Sequence, residues 1–441
     1  MDLSRGETEL RLRVVTMERK KIAVGELRLG MYVAELDRPW IGSPFLFQGF
    51  PISTDKELKQ LNDFCDFVYI DLEQSRDVDV RPKLSSTSQN QHHRFETERV
   101  NLSHKFDQTD QEVQYHNKIK FSQALPQAAK IFGSTRKYVN SIFHDIRLGK
   151  SINTDEAREL TDRMVDNIIN NENAMVLLTQ LKQKDEYTTL HSINVCIISI
   201  LFGRHMGFDE KELRLLGLGA LLHDIGKMHV PLEILNKPGK LTAFERKIMN
   251  SHPQMGYDLL STTKDFPAAA LDVIRYHHER MDGSGYPKGL MAEGIKPYVQ
   301  IVAMVDVYDA ITSDRAYHER ISPHEALNKM FEWASKHFSK DLLEKFISCL
   351  GIYPIGSIVE LDAGEVGVVI TVNRRRKLLP TLNLVLDRNK KYLERPMVLD
   401  LDYYERKGKT IKIKKILKSN SYGIDVRKIL LDNTLAIPAT A

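Results

Sequence analysis

Between residues 185 and 320 the chain carries eight of its fifteen histidines, most beside carboxylates, in segments whose apolar residues repeat at helical spacing. A helical core has no use for imidazole or carboxylate, because a buried polar group without a partner costs free energy. A fold that buries several must bring them together. Leu221-Leu222-His223-Asp224-Ile225-Gly226-Lys227 ends a leucine-rich helix in an adjacent imidazole and carboxylate. Neighbours on a helix point about 100° apart, so such a pair can serve two sides of one site. His277-His278 repeats this on another helix, His191 lies on a helix over about 188–202, and His252 follows Asn250-Ser251. Asp306 sits in the apolar run Ala303-Met304-Val305-Asp306 and needs a partner. Imidazole and carboxylate ligands without thiolate suit iron, manganese, zinc or nickel and argue against an iron–sulfur cluster.

A second motif follows directly. His277-His278-Glu279-Arg280-Met281-Asp282-Gly283-Ser284-Gly285-Tyr286-Pro287 runs from a histidine pair into a Gly-rich turn closed by an aromatic and a proline. Glycine lets backbone approach a ligand closely, while Tyr286 offers a ring face and a hydroxyl.

The rest of the chain divides by period. Residues 21–24, 31–36, 45–50 and 67–72 are short apolar stretches punctuated by Gly and Pro, with one helix over 54–64, which predicts a small α+β domain at 20–75. Residues 76–118 are polar, centred on Ser85-Ser86-Thr87-Ser88-Gln89-Asn90-Gln91, and read as a linker. From 120 to 350 the pattern is helical, with Asn153-x-x-Glu156 and Asp209-x-x-Glu212 resembling capping boxes. Beyond 351 the period becomes strand-like, at 357–361, 366–372, 382–386 and 410–417, so 351–441 is expected to be a β-rich extension packed on the helices.

Composition excludes other classes. Of 441 residues, 42% are hydrophobic and 28% charged, which allows a large packed core and rules out global disorder. The net charge of +4 is too balanced to argue for nucleic acid or an anionic membrane. The apolar run near 194–203 is half a membrane span, so no transmembrane helix is expected, and the charged N-terminus does not read as a signal peptide. Cys65, Cys196 and Cys349 are odd in number and far apart, which fits a reducing cytoplasm. These features predict a soluble cytoplasmic protein.

Residues 150–350, with His223-Asp224, Gly226-Lys227 and Gly285-Tyr286-Pro287 intact, resemble the HD-GYP domain, a subgroup of the HD phosphohydrolase superfamily. Residues 20–75 resemble the small domain DUF3391 that often precedes it, on Leu27-x-x-Gly30-Met31-Tyr32-Val33 and Val68-Tyr69-Ile70-Asp71. The resemblance implies a mainly α protein, an HD-type helical bundle, between an N-terminal α+β domain and the C-terminal β-rich extension. It implies a phosphodiesterase of cyclic di-GMP in bacterial second-messenger signalling, with pGpG or GMP as product. His191, His223, Asp224 and Asp306 would hold one metal and His252, His277 and His278 a second, with Asp224 bridging. Lys227 would sit beside the scissile phosphate, and Arg315 would bind a phosphate or guanine. Gly285, Tyr286 and Pro287 would contact the ligand or a protein partner, and a homodimer is compatible with the family. Trinuclear members carry Glu four residues before the first histidine. Here that residue is Tyr187, and Asp185 and Glu186 point elsewhere on a helix, so two divalent transition-metal ions are expected, iron or manganese before zinc or nickel.

Two other functions remain open: a 3′3′-cyclic GMP-AMP phosphodiesterase, and a cyclic dinucleotide sensor or scaffold without catalysis. His205, His229 and His318 read as surface residues or supports for ligands, and Cys196, five residues past His191, as a core thiol. Arg374-Arg375-Arg376-Lys377 could bind an anion but reads as a solvated hairpin tip.

Overall fold

The computed structural model describes residues 19–37, 50–71, 75, 114–150, 152–180, 187–313 and 321–430. They fall into two units divided at Thr97 and Glu98. Most of the expected linker (76–113), residues 45–49, Asp185, Glu186, Arg315 and His318 lie outside the described residues.

The first unit is a four-stranded antiparallel sheet with one helix. Strands β1 (Arg19–Ala23), β2 (Tyr32–Leu36), β3 (Phe50–Pro51) and β4 (Phe67–Asp71) lie in the order β1-β4-β2-β3, and helix α1 (Asp55–Phe64) connects β3 to β4. A reciprocal box starts α1: Thr54 Oγ1 accepts the Glu57 amide, and the Glu57 carboxylate accepts the Thr54 amide. Ile22, Val33, Phe50, Leu61, Val68 and Ile70 form the core between helix and sheet.

The second unit begins with α2 (Phe121–Arg147), α3 (Thr154–Asn170), α4 (Glu172–Leu178), α5 (Tyr187–His205) and α6 (Glu210–Leu222). Asn153 caps α3 through the Asp155 amide, and Asp209 with Glu212 closes a full box on α6. A 3-10 turn at Ile225–His229 leads into α7 (Leu232–Leu235), α8 (Ala243–Met249), α9 (His252–Ser261) and α10 (Ala268–Tyr276). After the Gly-rich turn come α11 (Pro297–Thr312), α12 (Pro323–His337) and α13 (Lys340–Leu350). Helices α5 and α11 are buried on nearly every side, which is why their sequences lack a polar face. Both pass through the centre of the bundle, so any polar side chain they carry is delivered to its interior.

The chain ends in a five-stranded antiparallel sheet, order β8-β7-β6-β5-β9, built from β5 (Ile358–Leu361), β6 (Val366–Thr371), β7 (Thr381–Leu386), β8 (Tyr392–Asp400) and β9 (Ile413–Leu417), with α14 (Leu401–Arg406) between the last two. Strand β8 was not expected from its sequence. It lies at the sheet edge, where Pro396 removes no obligatory ladder bond. Asn173 at the start of α4 exchanges hydrogen bonds with the backbone of Val372, which ties sheet to helices. The reading of 374–377 as a solvated tip is corrected at Arg374. Its Nε lies 2.5 Å from the buried Glu172 carboxylate, and Nη1 lies 2.5 Å from His205 Nδ1. Arg376 pairs with Asp402 and Lys377 donates to Ser348, but both are exposed like Arg375, so the expectation holds at these three residues. Cys196 is a core thiol whose Sγ donates to the Gly217 carbonyl, and burial pushes its pKa up. No helix among the described residues is long and apolar enough to cross a membrane.

Candidate metal centre

Five segments meet around the carboxylate of Asp224. His191 comes from the second turn of the buried helix α5, and His223-Asp224 from the end of α6. His252 comes from the first position of α9, His277-His278 from the end of α10 and Asp306 from the buried helix α11. Asp224 is 1% exposed, and His223 and His277 are fully buried.

Asp224 Oδ1 lies 3.2 Å from His252 Nε2 and 3.8 Å from His277 Nε2. On its other side Oδ2 lies 3.4 Å from His223 Nε2, 3.7 Å from His191 Nε2 and 2.6 Å from Lys227 Nζ. Asp306 lies 3.0 Å from His191 Nε2 through one oxygen and 3.7 Å from His278 Nδ1 through the other. One donor atom each from Asp224, His252, His277 and His278 falls within 4.8 Å of the others, as does one each from His191, His223 and Asp224. Two overlapping donor sets therefore share one carboxylate.

The outer nitrogens of the rings are occupied. His223 Nδ1 donates to the Ala220 carbonyl, His252 Nδ1 to Met249 and His277 Nδ1 to Ile274. His191 Nδ1 donates instead to Asp309 Oδ2 at 2.8 Å, and Asp309 also accepts from Asn194 and Ser313. Asp309 and Asn194 were not singled out in the sequence. The available signal was spacing, since Asp309 follows Asp306 by three residues and so shares its helix face.

Charge in the site follows from burial and neighbours. Burial alone would raise Asp224, but the Lys227 ammonium and His223 hold its carboxyl well below the usual range. Burial opposed by His191 leaves Asp306 likewise ionised. Burial lowers His252, and burial with neighbouring imidazoles drives His277 and His278 well below their ordinary value, so these rings are neutral donors. For His191 burial is outweighed by hydrogen bonds to Asp306 and Asp309, which raise it to about 9. His223 Nε2 and Asp224 Oδ1 are buried and make no hydrogen bond among the described residues. Buried polar atoms are rarely left so, and divalent cations held by the two donor sets would satisfy both.

The Gly-rich turn folds back over the site. The Tyr286 ring lies 4.7 Å from that of His278, and the Tyr286 amide donates to the His278 carbonyl. A Cβ on Gly285 would fall 2.4 Å from the backbone at Glu279 and Arg280, so this position requires glycine. Glu279, a third residue not singled out in the sequence, is buried and accepts the amides of Lys288 and Leu290. Its signal was adjacency to His277-His278. Glu279→Ala is expected to lower stability by about 1–3 kcal/mol, with Glu279→Gln intermediate, because two amides lose their acceptor; urea unfolding measures this.

Of the other expected residues, Tyr187 stacks on His191 with ring centroids 5.4 Å apart. His229 is exposed, and His205 lies away from the cluster against Arg374.

Buried imidazoles and carboxylates converging from helix ends and central helices are the site of an HD-domain, divalent-metal-binding hydrolase. An HD domain family matches residues 163–342, and DUF3391, a domain of unknown function, matches residues 19–157. The chain is 35% identical to a cyclic di-GMP phosphodiesterase of Pseudomonas aeruginosa over 89% of its own length and 91% of that protein's. It is 38% identical to the cyclic di-GMP phosphodiesterase response regulator RpfG of Xanthomonas campestris, over 37% of this chain and 43% of that one. It is 34% identical to a 3′3′-cGAMP-specific phosphodiesterase of Vibrio cholerae, over 36% of each chain. The chain belongs to the HD-GYP family of cyclic di-GMP phosphodiesterases.

Proposed function

We propose that the chain hydrolyses the phosphodiester bonds of a cyclic dinucleotide, cyclic di-GMP in the first place, to linear pGpG or GMP as part of second-messenger signalling. The observation that carries this reading is the gathering of four histidine-bearing segments on Asp224 beside the Lys227 ammonium. Similarity along nearly the whole chain to an enzyme named for that substrate supports it.

In this reading His191, His223, Asp224 and Asp306 hold one divalent ion, and His252, His277 and His278 hold a second across the shared Asp224. Bound divalent cations lower the pKa of water and neutralise charge on phosphoryl oxygens. The chain's own groups do the rest. Asp309 orients the His191 ring, and Lys227 counters the charge that grows at the phosphate as the bond to the leaving 3′ oxygen lengthens. Lys227 also has a proton to give that oxygen. Gly285, Tyr286 and Pro287 form the wall against which a base or sugar rests, and Arg315 takes a phosphate or guanine.

Two ions are proposed rather than three, iron or manganese before zinc or nickel, because a phenol with pKa near 10 is a poor ligand at neutral pH. Tyr187 turns that phenol's ring flat against His191. Elemental analysis after anaerobic purification is expected to give about two ions per chain, and Tyr187→Glu to admit a third. Three tightly held ions in the unmodified protein would overturn this count.

The proposed organisation is a DUF3391-like domain at 20–75, a linker at 76–118, the catalytic domain at 120–350 and a β-rich extension at 351–441. A reducing cytoplasm, a homodimer and a protein partner on the Gly285-Tyr286-Pro287 loop complete the proposal. The three cysteines, buried and without disulfides, suit that compartment.

The deciding experiment incubates metal-loaded protein with cyclic di-GMP and with 3′3′-cyclic GMP-AMP and follows linear product. Faster turnover of cyclic di-GMP supports the reading. Preference for the mixed dinucleotide supports the second reading, which similarity to the Vibrio enzyme favours. Binding without turnover of either would leave a sensor.

A further inference from the structure

A cavity of about 480 Å³ opens where the C-terminal end of α5, residues 114–116, helix α13 and the hairpin after β6 come together. Arg204, Lys345, Arg374 and Arg375 line it, with His205 and Tyr115, and no carboxylate is among the lining residues described. In a chain of net charge +4 this concentration of cations in one concavity is local, not compositional.

The floor is built rather than incidental. Arg204 is 5% exposed, and its guanidinium hydrogen-bonds Glu172, the carboxylate that also pairs with Arg374. One carboxylate therefore serves two guanidinium groups, which leaves a positive charge at the floor before Arg375 is counted. Arg204 Nε is buried and makes no hydrogen bond among the described residues. An uncompensated charge and an unused donor are both costly in such a place. His205, between these cations, is lowered to about 4 by burial and by Arg374, Lys377, Arg204 and Lys345, and so adds a neutral donor or acceptor.

We propose that this cavity binds a phosphate dianion, free or as the terminal group of a small ester such as a nucleoside monophosphate. Guanidinium forks match the paired oxygens of phosphate, and two negative charges answer a site with more than one surplus cation. The volume exceeds that of a bare phosphate and leaves room for an ester group. The site is distinct from the metal centre. His191 and His205 lie on the same helix fourteen residues apart, or about 21 Å along its axis. A ligand here would join the C-terminal sheet to the helices.

The test is calorimetric titration of the full chain with inorganic phosphate, with GMP and with guanosine as the uncharged control. Asp224→Ala protein is included so that binding at the metal centre is separated. Saturable binding of phosphate or GMP, not guanosine, is expected in the unmodified and Asp224→Ala proteins. A Lys345→Ser/Arg375→Ser double variant, changed only at exposed positions, should bind at least about tenfold more weakly with unaltered turnover of cyclic dinucleotide. The His205 imidazole should become easier to protonate on saturation, read by NMR in the unmodified protein. Tighter binding of GMP than of phosphate assigns the ester as occupant, and the reverse assigns the free ion; either supports the site. Equal affinity in the unmodified protein and the double variant would overturn it, as would loss of all binding in Asp224→Ala protein that keeps its helical circular dichroism.

Discussion

Asp224→Ala is expected to lower cyclic dinucleotide hydrolysis by about a thousandfold or more while leaving the helical fold in place. No other side chain of the centre faces so many partners. Its two oxygens lie within 3.8 Å of four imidazoles and 2.6 Å from Lys227. Removing it takes a shared ligand from both donor sets and releases Lys227 from the carboxylate it pairs with. The fold should tolerate the change, because His252 and His277 are already neutral and Lys227 is half-buried with a route to solvent. Product formation, ion content and circular dichroism measured together separate lost chemistry from lost structure. Retention of more than a few per cent of activity would remove the shared-ligand reading.

Gly226→Ala is expected to act on both stability and ion binding. A Cβ there would fall 2.0 Å from the His252 carbonyl oxygen and 2.5 Å from the Gly256 amide nitrogen. Both are backbone atoms, so no rotamer change relieves the clash and α9 must move away with the ligand it carries. A loss of about 2–4 kcal/mol is expected in urea unfolding, together with fewer ions per chain. Gly133→Ala is the control, since among the described residues nothing beyond its own stretch of helix lies within 4 Å of its Cβ position in the middle of α2. It should be neutral or stabilise by up to about 1 kcal/mol. Equal effects at both positions would show that close approach at Gly226 does not matter.

The centre was legible to the extent that its residues break the rules of a core. His191, His223, Asp224, His252, His277, His278 and Asp306 interrupt apolar helices, and only convergence explains such interruptions. Glu279 and Asp309 were harder to see because each supports a neighbour that already stood out. The strands with clean alternation or uninterrupted Val and Leu were readable. Strand β8 was not, because Glu394, Arg395 and Pro396 break its pattern, and an edge position tolerates them. Arg374 was misread because its partner Glu172 lies about two hundred residues earlier, beyond any local pattern. The helix predicted at 188–202 came out as Tyr187–His205, longer at its end, where Arg204 is held by that same carboxylate.

Three of the rings, His223, His252 and His277, are pinned by carbonyls in or just beyond the last turn of a helix, at Ala220, Met249 and Ile274. Such carbonyls lack an intrahelical partner. One bond from each ring thus finishes a helix and fixes which nitrogen keeps its lone pair. None of these bonds depends on an ion. The shape of the centre is consequently paid for by the folding of the bundle, and capture of a cation need not order anything further. A chelator should then strip the protein without unravelling it. Reloading should proceed at the pace at which the incoming ion sheds its water, not at the pace of refolding.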